Sequence, residues 1–359
     1  MADIFRDNIL GFIPERDWLS VGFDVTRQGD PIDGLFGDEK TDNLVAYWQS
    51  IANEYQIPVM AQFHGFDTEA QQTFRVPVDT HNIEKGLIKV KINQSERMRA
   101  LLRSGVQNDQ MYDYVINDGI RLAEQVITRT KVAKNELMAT GQVTIKENNL
   151  DLTIDYGVPA GQKNLTIDFG TGATAPVDEQ LETLVQTALA GGNVLNGFMT
   201  SRAVLNKFRK SGVIQRAVNG NGMVGQLVSN ADLRAYLSEE YGLNNIIVND
   251  TTYGVPGAEV AGRPHVTAKR LFPAAGITFF ATPNGGAKLG DGLWGDPPET
   301  DAGIDLNVTG SSESPYVYIS QWSEKDPAVL WTKASTLFIP VLYNPTSLYI
   351  ASATETTGT

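Results

Sequence analysis

The longest regular pattern in the chain spans residues 107–139, where apolar residues recur at three- and four-residue steps. This spacing places them along one side of a helix, and charged residues, among them Asp118 and Lys134, lie on the other side. At about 1.5 Å per residue the helix would run roughly 50 Å, against an average of about eleven residues per helix. Gly141 stands where a C-terminal cap is expected. The pattern predicts a long strut helix.

Two patterned segments precede the strut. Residues 41–55 bring Leu44, Trp48 and Ile51 to one face and predict a short amphipathic helix. Residues 59–92 change to alternation of apolar and polar positions, which predicts strands that flank the polar turn DTEAQQ. A lone hairpin is marginally stable in water. This hairpin therefore needs either its own domain or the surface of a neighbour.

The segments after the strut are short and well punctuated. Residues 143–156 alternate around Asn148 and Asn149 and, with a strand at 165–169, predict a β-meander. Pro340, within a predicted strand, indicates an edge, a kink or a bulge. Helices are predicted at 177–190, at 201–212 with Thr200 as N-cap, and at 231–242, and strands at 245–250, 277–281, 316–322, 328–343 and 347–352.

Two regions lack a sustained period. Residues 1–40 contain many apolar side chains, but Gly, Pro and Asp interrupt them, which predicts an extended arm that lies on another surface. Residues 283–314 are rich in Gly, Pro and Asp and are predicted to form a long surface loop or a weak hairpin.

Composition narrows the class of protein. A chain of 359 residues that is 42% hydrophobic and 20% charged is expected to be soluble and globular, with two or three domains. No run of eighteen apolar residues occurs, so no membrane span is expected. The absence of cysteine rules out disulfides and thiolate chemistry. A net charge of −13 argues against nucleic-acid binding as the primary activity.

The literal pattern G-x-G-x-x-G occurs at Gly290, Gly292 and Gly295. A dinucleotide site needs these glycines between a strand and the start of a helix, whose free N–H groups hold the pyrophosphate. Asp296 and two prolines follow here, so no helix opens. The sequence favours a glycine-rich loop.

No other motif indicates catalysis, a cofactor or a metal. His64, His81 and His265 are scattered and share no local motif. The spacing of the acidic residues after position 290 does not match a calcium-binding loop. A solvated acidic loop is the better interpretation of this group, which comprises Asp291, Asp296, Glu299, Asp301 and Asp305. The chain is not expected to be an enzyme.

The order of elements resembles the Hong Kong 97-type capsid fold of tailed bacteriophages, and more closely the phage lambda major head protein family. Three stretches carry the resemblance: GIRLAEQVITRTKVAKNELMATGQVTIKENNLDLTIDYGVP, LFPAAGITFFATPNGGAKLGDGLWGD and SQWSEKDPAVLWTKASTLFIPVLYNPTSLYIASA. Together with the predicted hairpin they cover most of the chain from about residue 55 onward. They are patterned stretches and not catalytic signatures.

The resemblance implies an α+β fold with five parts. These are an N-terminal arm and short helix (1–54), an extended hairpin called the E-loop (55–105), a peripheral domain with the spine helix and β-meander (106–210), an axial domain (211–315), and return strands of the peripheral domain (316–359). The arm and hairpin lack partners of their own, and a closed shell gives every subunit neighbours to lie upon. Inter-subunit contacts are therefore expected at Phe5, Phe12, Trp18, Phe66, Phe74 and Trp294.

The implied function is that of a major capsid protein. It would self-assemble into hexamers and pentamers of an icosahedral shell enclosing double-stranded DNA, which it contacts without sequence specificity. The virion is the implied location, with assembly in the host cytoplasm. A portal, a separate scaffolding protein and a decoration protein are further implied partners. Covalent cross-linking is known in one branch of the fold, but Lys85, Lys89 and Lys91 are expected to be solubilising residues.

Two other functions stay open at this point. An encapsulin-like nanocompartment uses the same fold to hold cargo enzymes, and the contents of purified particles distinguish it from a phage head. A carbohydrate-active or calcium-binding β-rich enzyme would use the 283–314 loop. Monomeric behaviour in solution would be the first support for such an enzyme.

Overall fold

The chain folds as a mixed α+β structure in which one long helix packs on a large sheet and touches a second one. The computed structural model describes residues 30–50, 60–61, 66, 75, 79–96, 108–148, 150–170, 175–220, 225–260, 263–282, 288–300, 310–313 and 316–355. The strands predicted at residues 59–66 and 73–78 lie almost entirely outside these ranges.

Helix α1, Asn108–Thr140, confirms the predicted strut. Its apolar stripe is buried from Leu122 to Leu137. Gly141 ends it with φ +71°, and the Gly141 N–H donates to the Leu137 carbonyl at 2.8 Å. Asp118 and Lys134, on the charged side of the predicted helix, are nevertheless buried, at most 3% exposed.

A six-stranded sheet covers helix α1 and is built around one long strand. Its order is β1 (Phe36–Lys40), β13 (Gly290–Gly295), β16 (Ala328–Leu342), β15 (Tyr318–Lys325) and β14 (Gly310–Glu313), with β4 (Gly86–Gln94) on the other side of β16. Pairing with β4 stops at Phe338, so Pro340 pairs only with Gly292 of β13. The predicted edge position of this proline, which has no N–H to donate, is confirmed.

Strand β13 corrects the predicted surface loop at 283–314. It pairs with β1 in parallel and with β16 in antiparallel orientation, and most of its residues are buried. Its glycines permit close packing: a Cβ on Gly290 would lie 1.9 Å from the Val341 carbonyl oxygen. A glycine-rich sequence is here the consequence of crowding and not of a flexible loop.

A five-stranded sheet separates two hydrophobic cores. Its order is β7 (Leu165–Asp168), β17 (Leu348–Thr354), β12 (Gly276–Phe280), β8 (Gly197–Thr200) and β9 (Asn245–Val248). Side chains on a strand alternate between faces. Leu348 and Ile350 of β17 therefore join the core around α1, while Tyr349 and Ala351 join the other core.

The second core lies under a layer of four helices. They are α2 (Val177–Ala190), α3 (Arg202–Lys210), α4 (Gly212–Asn219) and α5 (Asn230–Tyr241). These helices fall in the predicted segments, apart from α4, which the pattern did not predict. The N-cap of α3 is Ser201 and not Thr200, since the Ser201 hydroxyl accepts from the Val204 N–H.

The predicted β-meander is only partly correct. Strands β5 (Gln142–Glu147) and β6 (Leu150–Asp155) form the expected hairpin, but β7 leaves it and pairs in parallel with β17. Residues on both sides of the predicted boundary at 210 share the second core. The division into peripheral and axial domains, which refers to positions in a shell, stays a prediction.

Two further antiparallel pairs complete the described residues: β2 (Val45–Ser50) with β3 (Asp79–Glu84), and β10 (Thr252–Val260) with β11 (Arg263–Arg270). Strand β2 corrects the helix predicted at 41–55. Ala46 and Trp48 are buried and Tyr47 is exposed, which is the alternation of a strand. Pairing with β3 and the aromatic residues override the helical spacing.

Crowding at Gly290 generates the first testable prediction. Gly290→Ala is expected to lower the free energy of unfolding by more than about 2 kcal/mol, because the new methyl group meets the backbone of β16. Gly161→Ala is the matched control, since a Cβ there meets nothing within 4 Å. Denaturant unfolding of both variants measures the difference. Equal stability of the two would contradict the tight packing of β13.

Candidate functional site: an anchored arm exit and a clamped ribbon

The described chain starts at a fixed point on the body. Asp30 caps the 3-10 turn Pro31–Gly34: its Oδ1 accepts from the Ile32 N–H at 3.1 Å, and Asp33 Oδ2 accepts from the Asp30 N–H at 2.9 Å. Ile32 and Phe36 are at most 1% exposed. This turn therefore fixes the first described residues on the body.

Asn249 connects that turn to both cores. Its side-chain amide donates to Asp30 Oδ1 at 3.1 Å and to Asn135 Oδ1 at 2.8 Å. Asn249 follows β9 and Asn135 belongs to α1, so three separate segments meet at one buried amide. Burial raises the pKa of Asp30, and the Ile32 N–H bond opposes that shift. Buried polar groups that are bonded in this way fix the relative positions of their segments.

An ion pair between a buried lysine and a partly exposed aspartate ties β1 to the helix. Lys134 Nζ lies 2.9 Å from Asp38 Oδ1, and the Lys134 side chain is 3% exposed. Trp294 Nε1 donates to the same Asp38 oxygen at 2.7 Å. A Cβ on Gly292 would lie 2.8 Å from that oxygen and 3.0 Å from Lys134 Cε. One glycine of the G-x-G-x-x-G pattern therefore makes room for an ion pair.

Lys85 forms a second buried clamp, between β3 and β4. Its ammonium donates to the Thr41 carbonyl and hydroxyl at 2.6 Å each, and to the Trp294 carbonyl at 2.9 Å. Its backbone N–H donates to Leu44. Burial lowers the pKa of Lys85. The expectation that this lysine is a solubilising surface residue is wrong, since it is 3% exposed.

The clamp holds the base of a two-stranded ribbon made of β2 and β3, hereafter the ribbon. Trp48 stacks on His81 with ring centroids 5.1 Å apart and contacts Tyr156 at 6.1 Å. The Tyr156 hydroxyl donates to the Pro340 carbonyl at 2.6 Å. The inner face of the ribbon thus rests on the body through aromatic rings, and its direction is fixed.

The ribbon and its connection expose apolar side chains. Tyr47 is 62% exposed, Met60 85% and Phe66 102%. The neighbouring β5–β6 hairpin adds Leu150 and Leu152, at 61% and 48%. Exposed apolar side chains of this kind are typical of surfaces that another molecule covers.

The six expected contact residues differ in whether the structure describes them and in how exposed they are. Phe5, Phe12, Trp18 and Phe74 lie outside the described residues. Phe66 is exposed, as a contact residue must be in an isolated subunit, and its role stays a prediction. Trp294 is 3% exposed and packs on Tyr316 and Phe338, so its ring offers a neighbour almost no surface.

The chemistry searched for in the sequence has no matching geometry in the described residues. The three glycines of the dinucleotide-like pattern lie on β13, which is followed by a 3-10 turn, Pro298–Thr300. Within the described ranges, no three histidine or carboxylate side chains converge as a metal site requires. No described helix has both the length and the hydropathy needed to cross a membrane.

Comparison with known proteins points to one family. The family model of phage major capsid protein E matches residues 54–353. No curated protein matches the chain. The match to the family model confirms the predicted relationship to phage major capsid proteins. The finer assignment to the lambda type stays a prediction.

Solved structures support the fold. A prophage protein of E. coli CFT073 that is assigned as a capsid protein aligns with TM-score 0.54 and 14% identity, covering 94% of this chain and 96% of the other. A phage-related protein of Bordetella bronchiseptica RB50 aligns with TM-score 0.50 and 10% identity, covering 93% and 96%. The predicted Hong Kong 97-type fold is confirmed.

The Lys134–Asp38 pair generates the second prediction. Asp38→Ala is expected to lower the free energy of unfolding by about 3 kcal/mol, because it leaves a buried ammonium without its closest carboxylate. Lys146→Ala removes an exposed ion pair with Asp151 and is expected to change stability by less than about 0.5 kcal/mol. Chemical unfolding measures both, and a cost at Asp38 as small as at Lys146 would show that this ion pair does not anchor β1.

Proposed function

The chain belongs to the phage major capsid protein E family, and on that premise we propose that it assembles by laying its ribbon and arm on neighbouring subunits. It is a structural protein of the virion shell. The proposed assembly is an icosahedral shell of hexamers and pentamers that encloses double-stranded DNA. The single observation that carries this proposal is the clamped ribbon with exposed apolar residues.

Rigid presentation is the physical basis of the proposal. The Lys85 clamp and the Trp48–Tyr156 contact fix the base of the ribbon on the body. Phe66, on the connection between its strands, is exposed and therefore available to a second subunit. In a closed shell every subunit receives the contacts that it gives. Several modest contacts per subunit then add up to strong overall association.

Further partners follow from the same proposal. We propose that a separate scaffolding protein guides assembly in the host cytoplasm. A portal and a decoration protein complete the proposed head. A net charge of −13 disfavours tight phosphate binding, so contact with packaged DNA is proposed to be loose and nonspecific.

The encapsulin-like nanocompartment is the alternative within the same fold. The match to a phage major capsid family favours the phage head. Particle contents distinguish the two, because a nanocompartment holds a cargo enzyme and a phage head holds a genome. Mass spectrometry and nucleic-acid staining of purified particles make this test.

Phe66 provides the third prediction. Phe66→Ser is expected to lower the yield of shells at least about tenfold, because each subunit loses roughly 2 kcal/mol of apolar contact with a neighbour. The free energy of unfolding of the subunit is expected to stay unchanged, since the Phe66 side chain is fully exposed. Phe66→Tyr, which retains the ring, serves as control. Sedimentation of assembly mixtures gives the yield, and full assembly of the serine variant would contradict the proposed role.

A further inference from the structure

A basic cleft lies on the six-stranded sheet, apart from the ribbon and the arm exit. It has a volume of about 420 Å³, and its lining consists of Lys89, Val90, Lys91, Glu299, Trp322 and Lys333. Three ammonium groups face one carboxylate there, in a chain with 42 acidic and 29 basic residues. The cleft is therefore a local excess of positive charge on an acidic protein.

Strand register explains why the lysines converge. Lys91 of β4 lies opposite Lys333 of β16, and Lys89 lies opposite Ser335. Residues two apart on a strand point to the same face, so all four belong to one face of the sheet. The next strand, β15, adds Trp322, which pairs with Trp331.

Two of these ammonium groups lie over aromatic rings. Lys91 Nζ lies 4.1 Å from the centroid of Trp331, and Lys333 Nζ lies 5.7 Å from the centroid of Trp322. The two tryptophan rings are stacked, with centroids 6.2 Å apart. Cation–π contacts hold lysine side chains that would otherwise sample many rotamers. The positive charges are thus held in place before any ligand arrives.

The cleft already binds one carboxylate of its own chain. Glu299 Oε1 lies 2.7 Å from Lys333 Nζ, and Glu299 Oε2 accepts from the Ser335 hydroxyl at 3.4 Å. Burial alone would raise the pKa of Glu299, but the bonds from Lys333 and Ser335 hold it below its usual value. No carboxylate of the described residues forms an ion pair with Lys89 or Lys91. The adjacent strand therefore offers two more ammonium groups to a second acidic group.

We propose that this cleft binds a carboxylate-bearing segment of a second copy of this chain. The inference rests on the proposed shell, in which acidic subunits surround one another. The cleft has room for a few side chains at most, and its present occupant is a carboxylate. Both features favour an acidic protein segment over a nucleic-acid duplex, which would need an open basic surface. The contact neutralises charge that would otherwise separate the subunits.

The double variant Lys89→Gln, Lys91→Gln tests the proposal and is the fourth prediction. Light scattering during assembly is expected to show an approximately tenfold rise in the subunit concentration needed for particles, with a weaker dependence on salt. Lys210→Gln removes an exposed lysine of α3, outside the cleft and the ribbon, and is expected to leave assembly unchanged. Subunit unfolding is measured in parallel and is expected to change only slightly in the double variant, through loss of the Lys91–Trp331 contact, and not at all in the control. Assembly of the double variant at the wild-type concentration and with the wild-type salt dependence would overturn the proposal.

Isotope-resolved cross-linking identifies the partner directly. Particles are assembled from equal amounts of ¹⁴N- and ¹⁵N-labelled subunits and treated with a carbodiimide, which joins an amine to a contacting carboxylate. The proposal predicts mixed-label peptides that contain Lys89 or Lys91. Cross-links within one copy only, or no cross-links, would overturn the proposal. A double variant that forms particles at unchanged yield but loses copurifying nucleic acid would also overturn it. Failure of the wild-type chain to form particles would instead overturn the proposed function itself.

Discussion

Two buried lysine ammonium groups determine how the subunit presents its assembly elements. Lys134 pairs with Asp38, and Lys85 donates to Thr41 and to the Trp294 carbonyl. Removing an ammonium group from water is costly unless its bonds are replaced inside the protein. Each lysine is therefore compatible with only one placement of its partners. The partners of both lysines lie between residues 30 and 50 and on β13. The segment 30–50 is therefore fixed to the body.

The glycines of β13 make that arrangement possible. Gly292 leaves room for the Lys134–Asp38 pair, and Gly295 would place a Cβ 2.8 Å from Lys85 Nζ. With the base fixed, the described strands of the ribbon keep their direction, and Tyr47 on their outer face is exposed. The basic cleft between β4, β15 and β16 lies on the same sheet. One sheet thus supports an element that reaches outward and a surface that we propose receives a neighbour.

Periodicity in the sequence predicted the elements that pack by local rules. Helix α1, the β5–β6 hairpin and the three strands at the end of the chain each repeat with the spacing of their structure. The pattern failed at β2, where Leu44, Val45 and Trp48 fit a helix as well as a strand and the pairing with β3 decides. It also failed at β13, because glycines required by crowding resemble those of a loop.

The burial of Lys85 and Lys134 could not be predicted from the sequence, because it depends on contacts with distant segments. Their partners lie 44 and 96 positions away, and another partner of Lys85 lies 209 positions away. A lysine on a helix or strand is usually at the surface, and only the tertiary contacts distinguish these two. Trp294, expected in a surface loop, is buried for the same reason, whereas the contact role of the exposed Phe66 stays a prediction. The resemblance to a capsid family came from patterned stretches and not from any single residue.

Electron microscopy of the purified chain, with light scattering for mass, tests the central claim most directly. A subunit with a fixed ribbon and arm exit is built to associate with copies of itself. Shells, tubes or five- and six-membered capsomers are expected. A stable monomer or small dimer that persists when a scaffolding partner is supplied would contradict it.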